Sequence, residues 1–228
     1  MGMNNWWSLG LWAVASGLFS LSYNVLGRAF PLKGIVSREY RAVNAVKGSV
    51  LAVLAPAGAV LSGMALLGRP YAGSEWWHTW LPAMSAVYAA LDISSMIHYR
   101  NAATTTWIHH TLVQVFYLYL EAVGYAPTQS SRAIVLLAGI SACEFVVNLR
   151  LAARGLLTSK SASWLNKLAL AVYGVGSYLN LMGQGWLLYT AKRSDLTAMY
   201  ALVLLGIGGV LVDDVYLMRY LLRWQQRV

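Results

Sequence analysis

"VYAALDISSMIHYRNAATTTWIHHTLVQVFYLYL", residues Val87 to Leu120, decides how the chain is read. One apolar run carries a single acid, Asp92, and ends at a short polar link around Arg100. A second apolar run then opens with the adjacent imidazoles of His109 and His110. A bilayer core takes roughly 20 helical residues to cross, so two such runs joined by so short a link predict two membrane helices.

Outward from this stretch the pattern repeats. Seven candidate helices are expected, at about 5–26, 45–67, 79–99, 108–124, 132–150, 165–190 and 197–220. They are assigned as helices because backbone groups in lipid must be satisfied within their own segment, and none shows the alternation of a barrel strand. Hydrophobic residues make up 58% of the 228 positions and charged residues 11%, with a mean hydropathy of +0.54. The fold class expected is all-α, a polytopic membrane protein with no soluble module.

The net charge of +9 does not point to nucleic acid, because the basic residues sit at helix ends with no interleaved aromatics. Thirteen of the 17 Lys and Arg residues fall in segments 27–47 and 150–167, at Arg100 and in the C-terminal tail; Arg69, Arg132, Lys192 and Arg193 fall on the other side. This positive-inside bias predicts an outer or lumenal N-terminus and a C-terminus in the cytosol or matrix. Trp6, Trp7, Trp76, Trp77 and Trp80 then mark one interface, and Trp107, Trp164 and Trp224 the other. Helix 1 lacks a basic n-region and a cleavage site and is expected to stay in the mature chain. Cys143 is the only cysteine, which excludes an intrachain disulfide. The glycines of "YGVGSYLNLMGQG", Tyr173 to Gly185, and of "GIGG", 206–209, are read as sites of close helix approach rather than of phosphate binding.

Ionisable groups inside spanning segments are costly, so each is a functional candidate. They are Asp92 in helix 3, Glu144 with Asn148 in helix 5, and Asp213 with Asp214 in helix 7. Each acid precedes a basic residue, Arg100, Arg150 or Arg219, by six to eight positions, about 9–12 Å along a helix. The three helices therefore bring carboxylates to one layer of the cytosolic half, and helix 4 brings His109 and His110 to the same layer. Adjacent residues on a helix point about 100° apart, which argues against the two histidines chelating one metal ion together. Gln114, one turn past His110, is placed to orient it. A structural role as an ion pair fixing the bundle competes with the functional one for each acid. Asp214 is read as a helix-end charge held by Arg219 or water, His78 and His98 as interfacial anchors, and Glu121 as solvated.

Val87 to Leu120 resembles the core of a TLC domain, the fold of ceramide synthases and their relatives, in which an aspartate lies on one membrane helix and a His-His pair starts the next. "ISACEFVVNLRLAARGLLTSKSASWLNKLAL", Ile140 to Leu170, is similar to that family's Glu, Asn and Arg block, with Glu144, Asn148 and Arg150 at the matching positions. The resemblance covers most of 87–170. It implies a six-helix bundle of helices 2–7 around a cavity open toward the cytosolic leaflet, with 1–40 as an added helix and basic loop and 41–228 as the TLC-like domain. It also implies acyl transfer from acyl-CoA, as co-substrate, to a sphingoid or other lipid acceptor. His109 or His110 would act as base or nucleophile, Asp92 or Glu144 as orienting acid, and Gln114, Asn148, Arg100, Arg150 and Asp213 as substrate contacts. No bound cofactor and no metal are expected.

Ceramide synthases carry a pair of aspartates downstream of the His-His pair, whereas this sequence has the single acid Glu144 there, so the chain looks closer to the less characterised TLC branch. The alternative function is a non-catalytic lipid-binding or scaffold subunit of a larger organellar membrane complex, with protein partners beside the membrane lipids. The resemblance favours the endoplasmic reticulum and leaves a mitochondrial membrane open.

Overall fold

The computed structural model describes residues 6–30, 37–68, 75–99 and 103–225, and among these no strand occurs. The helices are α1 Trp6–Ala29, α2 Arg38–Leu67, α3 Glu75–His98, α4 Thr104–Ala122, α5 Gln129–Cys143, α6 Phe145–Ala152, α7 Ser159–Thr190 and α8 Ala198–Gln225, with one 3₁₀ turn at Arg193–Asp195. Each of the seven apolar runs has formed a helix. The fifth is broken in two at Glu144.

Four helical stretches are long and apolar enough to cross a membrane: Trp6–Ala29, Arg38–Leu67, Thr79–His98 and Ala198–Arg223. The α5–α6 pair, bent by 42°, makes a fifth if counted as one span. The sequence reading expected seven. α4 and α7 fall outside this set because polar residues dilute their hydropathy: His109, His110, Gln114 and Glu121 in α4, and Asn166, Lys167, Asn180 and Gln184 in α7.

Helix ends follow local chemistry. Ser37 caps α2 through its side chain, which accepts from the Tyr40 N–H, and Thr128 and Thr158 cap α5 and α7 in the same way. Each hydroxyl satisfies one of the orphan N–H groups of a first turn. α4 stops at Gly124, which has φ 61°. There the Tyr125 N–H donates to the Leu120 carbonyl and the Gly124 N–H to that of Glu121, the paired bonds of a Schellman stop. The Tyr125 hydroxyl returns to the Glu121 carboxylate at 2.7 Å. Glu121 is thus engaged in a clasp and is not simply solvated, as the sequence had suggested. Burial and that carboxylate push the Tyr125 phenol up. The break at Glu144 has no Pro or Gly; its N–H bonds back to Ser141 and its carbonyl accepts from Val147, three-residue spacings that tighten the chain locally.

The helices form a closed ring. α2 packs against α3, α3 against α4, α4 against α8, α8 against α7, α7 against α5 and α6, and these two against α2. α1 stands outside, against α3 and α2. The ring is apolar outward: Val14, Leu18, Leu21 and Val25 stripe α1, and Val53 and Leu205 are 79% and 73% exposed. Polar residues turn inward instead. Arg132 donates from Nε to the Ala65 carbonyl and from a terminal nitrogen to Gln129, Gln184 donates to the Ala133 carbonyl, and Asn166 donates to that of Leu221. This inside-out distribution suits an apolar solvent, in which interhelical hydrogen bonds replace those to water.

Glycines set the closest approach. A Cβ at Gly58 would lie 2.8 Å from the Gly139 carbonyl oxygen, and one at Gly183 would lie 2.7 Å from the Leu136 side chain. Small residues here let α2 and α7 ride directly on α5. Gly206 and Gly209 face Phe116 and Leu112 of α4, whereas Gly174, Gly185 and Gly208 meet open space. Packing thus accounts for only part of each glycine-rich stretch.

Candidate functional site

The ring encloses a cavity of about 610 Å³ touched by all six of its walls. That volume falls in the range of roughly 300–1,000 Å³ usual for small-molecule sites. Its mouth is aromatic and basic. Tyr40 on α2 and Tyr99, just past α3, have ring centroids 4.9 Å apart, and the Arg154 guanidinium sits over the Tyr220 ring at 5.6 Å.

Below the mouth lies the polar layer. The Lys47 ammonium on α2 is 2.5 Å from Oδ1 of Asp92 on α3. The other oxygen, Oδ2, is 2.9 Å from Nδ1 of His110 on α4. His109 stands beside it, the two ring centroids 5.1 Å apart, with Nδ1 at 3.4 Å from Oδ2 of Asp213 on α8. Thr106 donates to the second oxygen of Asp213. Each imidazole therefore has its own acid, and the two acids come from helices on opposite sides of α4. The His110 arm is the more buried, Asp92 being 1% exposed.

The opposite wall carries Glu144, Asn148 and Leu151 in one stripe, all lining the cavity. Glu144 occupies the break between α5 and α6, where its carboxylate fills the space that a Cβ on Gly176 of α7 would take. Next to this wall Asp214 is 7% exposed and accepts from the Tyr173 hydroxyl at 2.5 Å. Asp214 is thus a buried cavity residue and no helix-end charge: α8 continues to Gln225, which leaves Asp214 well inside the helix.

Beyond the polar layer a narrow space of about 50 Å³ runs on between Val113, Phe116, Leu137 and Val210. Tyr88, His109 and Ser141 line both this slot and the cavity. The polar layer is therefore flanked by a small apolar pocket on one side and by a cationic, aromatic mouth on the other.

Asp92, His109, His110, Asp213 and Glu144, all singled out from the sequence, converge on one site. Glu144 faces α7 and stands in ion-pair contact with neither imidazole. Gln114 does not orient His110; its amide donates to the Ala89 carbonyl of α3 at 3.0 Å and pins α3 to α4. Arg150 is buried, 3% exposed, and does not line the cavity, whereas Arg154 does. Arg100 lies outside the described residues, as does the side chain of His78. His98 turns toward α1, Nδ1 3.0 Å from the Ser94 carbonyl and its ring edge-on to Tyr23 of α1.

Sequence reasoning missed Lys47 and Tyr173, and it read Asp214 as a helix-end charge. Lys47 was assigned to a basic loop because the apolar run starts near residue 45, but capping at Ser37 starts α2 a full two turns earlier. The signal for Asp214 was its adjacency to Asp213 within an apolar run. No protein-family model, no curated protein and no solved structure matches the chain.

Proposed function

We propose that this chain is a TLC-like integral membrane protein that takes the acyl chain of an acyl-CoA into the ring and transfers the acyl group to a lipid amine or hydroxyl at the histidine layer. The observation that carries the reading is the order of environments along one cavity: a basic aromatic mouth, then two acid-paired imidazoles, then an apolar slot that shares His109 with the cavity. An acyl thioester has the same order of chemistry, from anionic nucleotide through reacting carbonyl to hydrocarbon. All seven helical segments then span the bilayer, α7 burying Asn166, Asn180 and Gln184 against its neighbours and α4 turning its histidines into the cavity, with the mouth at the cytosolic or matrix side as the positive-inside bias requires.

In the step proposed, the acceptor nitrogen or oxygen attacks the thioester carbonyl carbon while its proton passes to an imidazole nitrogen. The carbon–sulfur bond breaks, and the leaving thiolate takes that proton back as free thiol, so the imidazole ends neutral. An acid beside the ring fixes its orientation and stabilises the transient imidazolium. His110 is assigned as the base because Asp92 stands 2.9 Å from its Nδ1, closer than the 3.4 Å at which Asp213 stands from His109. Arg154 at the mouth supplies charge for phosphate.

The test is turnover by the purified full-length chain in detergent or nanodiscs with palmitoyl-CoA and either sphingosine or a lysolipid, reading free thiol and acylated product by mass spectrometry. Product formed by the wild type and lost by about a hundredfold or more in His110→Ala is the expected result. Absence of product from a folded, lipid-loaded wild type, with a phospholipid retained in both forms, would replace catalysis by the lipid-binding scaffold reading.

A further inference from the structure

We infer that Asp92, His109 and His110 form a binding site for one divalent transition-metal ion, in the class that takes imidazole and carboxylate ligands, such as zinc or iron(II). One donor atom from each of the three residues lies within 4.8 Å of the other two. The sequence spacing alone separates the two rings, but in the folded chain both turn toward the cavity and stand 5.1 Å apart.

The unsatisfied atoms carry the inference. Oδ2 of Asp92, Nδ1 of His109 and Nδ1 of His110 are all buried and none has a hydrogen-bond partner. Asp92 and His110 approach to 2.9 Å without the alignment of a hydrogen bond. Buried polar atoms are otherwise almost always satisfied; these three, on and beside a 1% exposed carboxylate, meet only ion-pair contacts with one another and with Asp213, and a cation among them would satisfy all three. Metal–nitrogen and metal–oxygen bonds of about 2.0–2.2 Å set neighbouring tetrahedral ligands roughly 3.3 Å apart, so the three donors, within 4.8 Å of one another, would draw closer around a bound ion. Asp213, 3.4 Å from Nδ1 of His109, stands beside the cluster and is not one of its three ligands.

Coordination chemistry agrees with this assignment. Glu144, Asp213 and Asp214 line the cavity and Asp92 lies behind His110, with Lys47 and Arg154 among the described lining cations and Arg41 and Arg150 buried nearby. Two imidazoles with carboxylate suit zinc or iron and are poor ligands for magnesium or calcium, which take oxygen. Lys47 bonds Oδ1 of Asp92 and leaves Oδ2 for the ion, the place of an outer-shell partner. A ring that holds the ion through Nδ1 carries its proton on Nε2 and has no lone pair left to accept another, so acyl transfer with that ring as base takes place in the metal-free form.

The inference rests on the cluster's geometry and not on the acyl-transfer reading, and its readout is metal content, which an inactive protein would still show. Purified full-length chain, stripped with chelator, is titrated with zinc and with cobalt(II), and bound metal is measured by elemental mass spectrometry and by the visible cobalt bands. Wild type is expected to take one ion per chain, with bands typical of a low-coordinate nitrogen–oxygen site. Asp92→Asn and His110→Ala should each weaken binding by more than the roughly tenfold to hundredfold that outer-shell losses cost, and Lys47→Met by about tenfold. His98→Ala, outside the cluster, should bind as wild type does. A folded wild type that takes up neither metal, or uptake that survives His110→Ala and Asp92→Asn combined, overturns the site.

Discussion

The Lys47 ammonium on α2 and the Asp92 carboxylate on α3 meet at 2.5 Å, with Asp92 almost wholly excluded from solvent. A charge so placed depends on its partner, because removing one member leaves the other desolvated and uncompensated. Lys47→Met should therefore lower stability in detergent by about 3 kcal/mol, read from thermal or denaturant unfolding. The double variant Lys47→Met/Asp92→Asn should recover most of that loss. Additive losses would mean that the pair contributes nothing as a pair.

Glu144 and Gly176 form a second coupled pair, since the Glu144 carboxylate occupies the position that a Cβ on residue 176 needs. Gly176→Ala should push α7 away from the α5–α6 break and cost roughly 1–3 kcal/mol. Gly174→Ala, where open space faces the glycine, should be neutral in the same unfolding measurement. Shortening the acid in Gly176→Ala/Glu144→Ala should restore the packing. A loss of equal size in both glycine variants would assign the effect to something other than the Glu144 contact, since helix propensity favours alanine at both positions.

The approach of α2 to α5 makes a parallel expectation. Gly58→Ala sets a methyl group 2.8 Å from a backbone oxygen of Gly139, which cannot yield as a side chain would, so about 2 kcal/mol should be lost. Gly63 has nothing within 4 Å, and its alanine variant should unfold with wild type.

Tyr173 donates its hydroxyl to Asp214 in the buried wall of the cavity. Tyr173→Phe removes one donor and leaves the acid short of a partner, with an expected cost of about 1–2 kcal/mol. The same change should leave metal uptake at the histidines intact. Loss of uptake in Tyr173→Phe would show that the two walls act as one unit.

Much of this site could be read from the chain because lipid-facing sequence is so restrictive. Asp92, Glu144, Asp213 and the two histidines stand out in runs where a charge needs a reason, and their similar distance from each helix end was enough to predict one layer. Pairing was less legible. Which acid meets which imidazole depends on the order of helices round the ring, and α8, seventh of the expected runs, turned out to be the neighbour of α4. Lys47 was hidden because an ammonium near a helix start reads as interfacial. The break at Glu144 carries no Gly or Pro signal and follows from tertiary packing against α2 and α7. α4 and α7 resemble weak spans for the same reason that they matter: their polar faces line the interior, which a hydropathy average counts against them.

The most direct measurement of whether a lipid chain enters the ring past the histidines is photocrosslinking with an acyl-CoA carrying a terminal diazirine, followed by peptide mapping of the full-length chain. Labels on Val113, Phe116, Leu137 or Val210, competed away by palmitoyl-CoA, are the expected result. Labels confined to outward residues such as Leu18, Val53 and Leu205, unaffected by competitor, would contradict it.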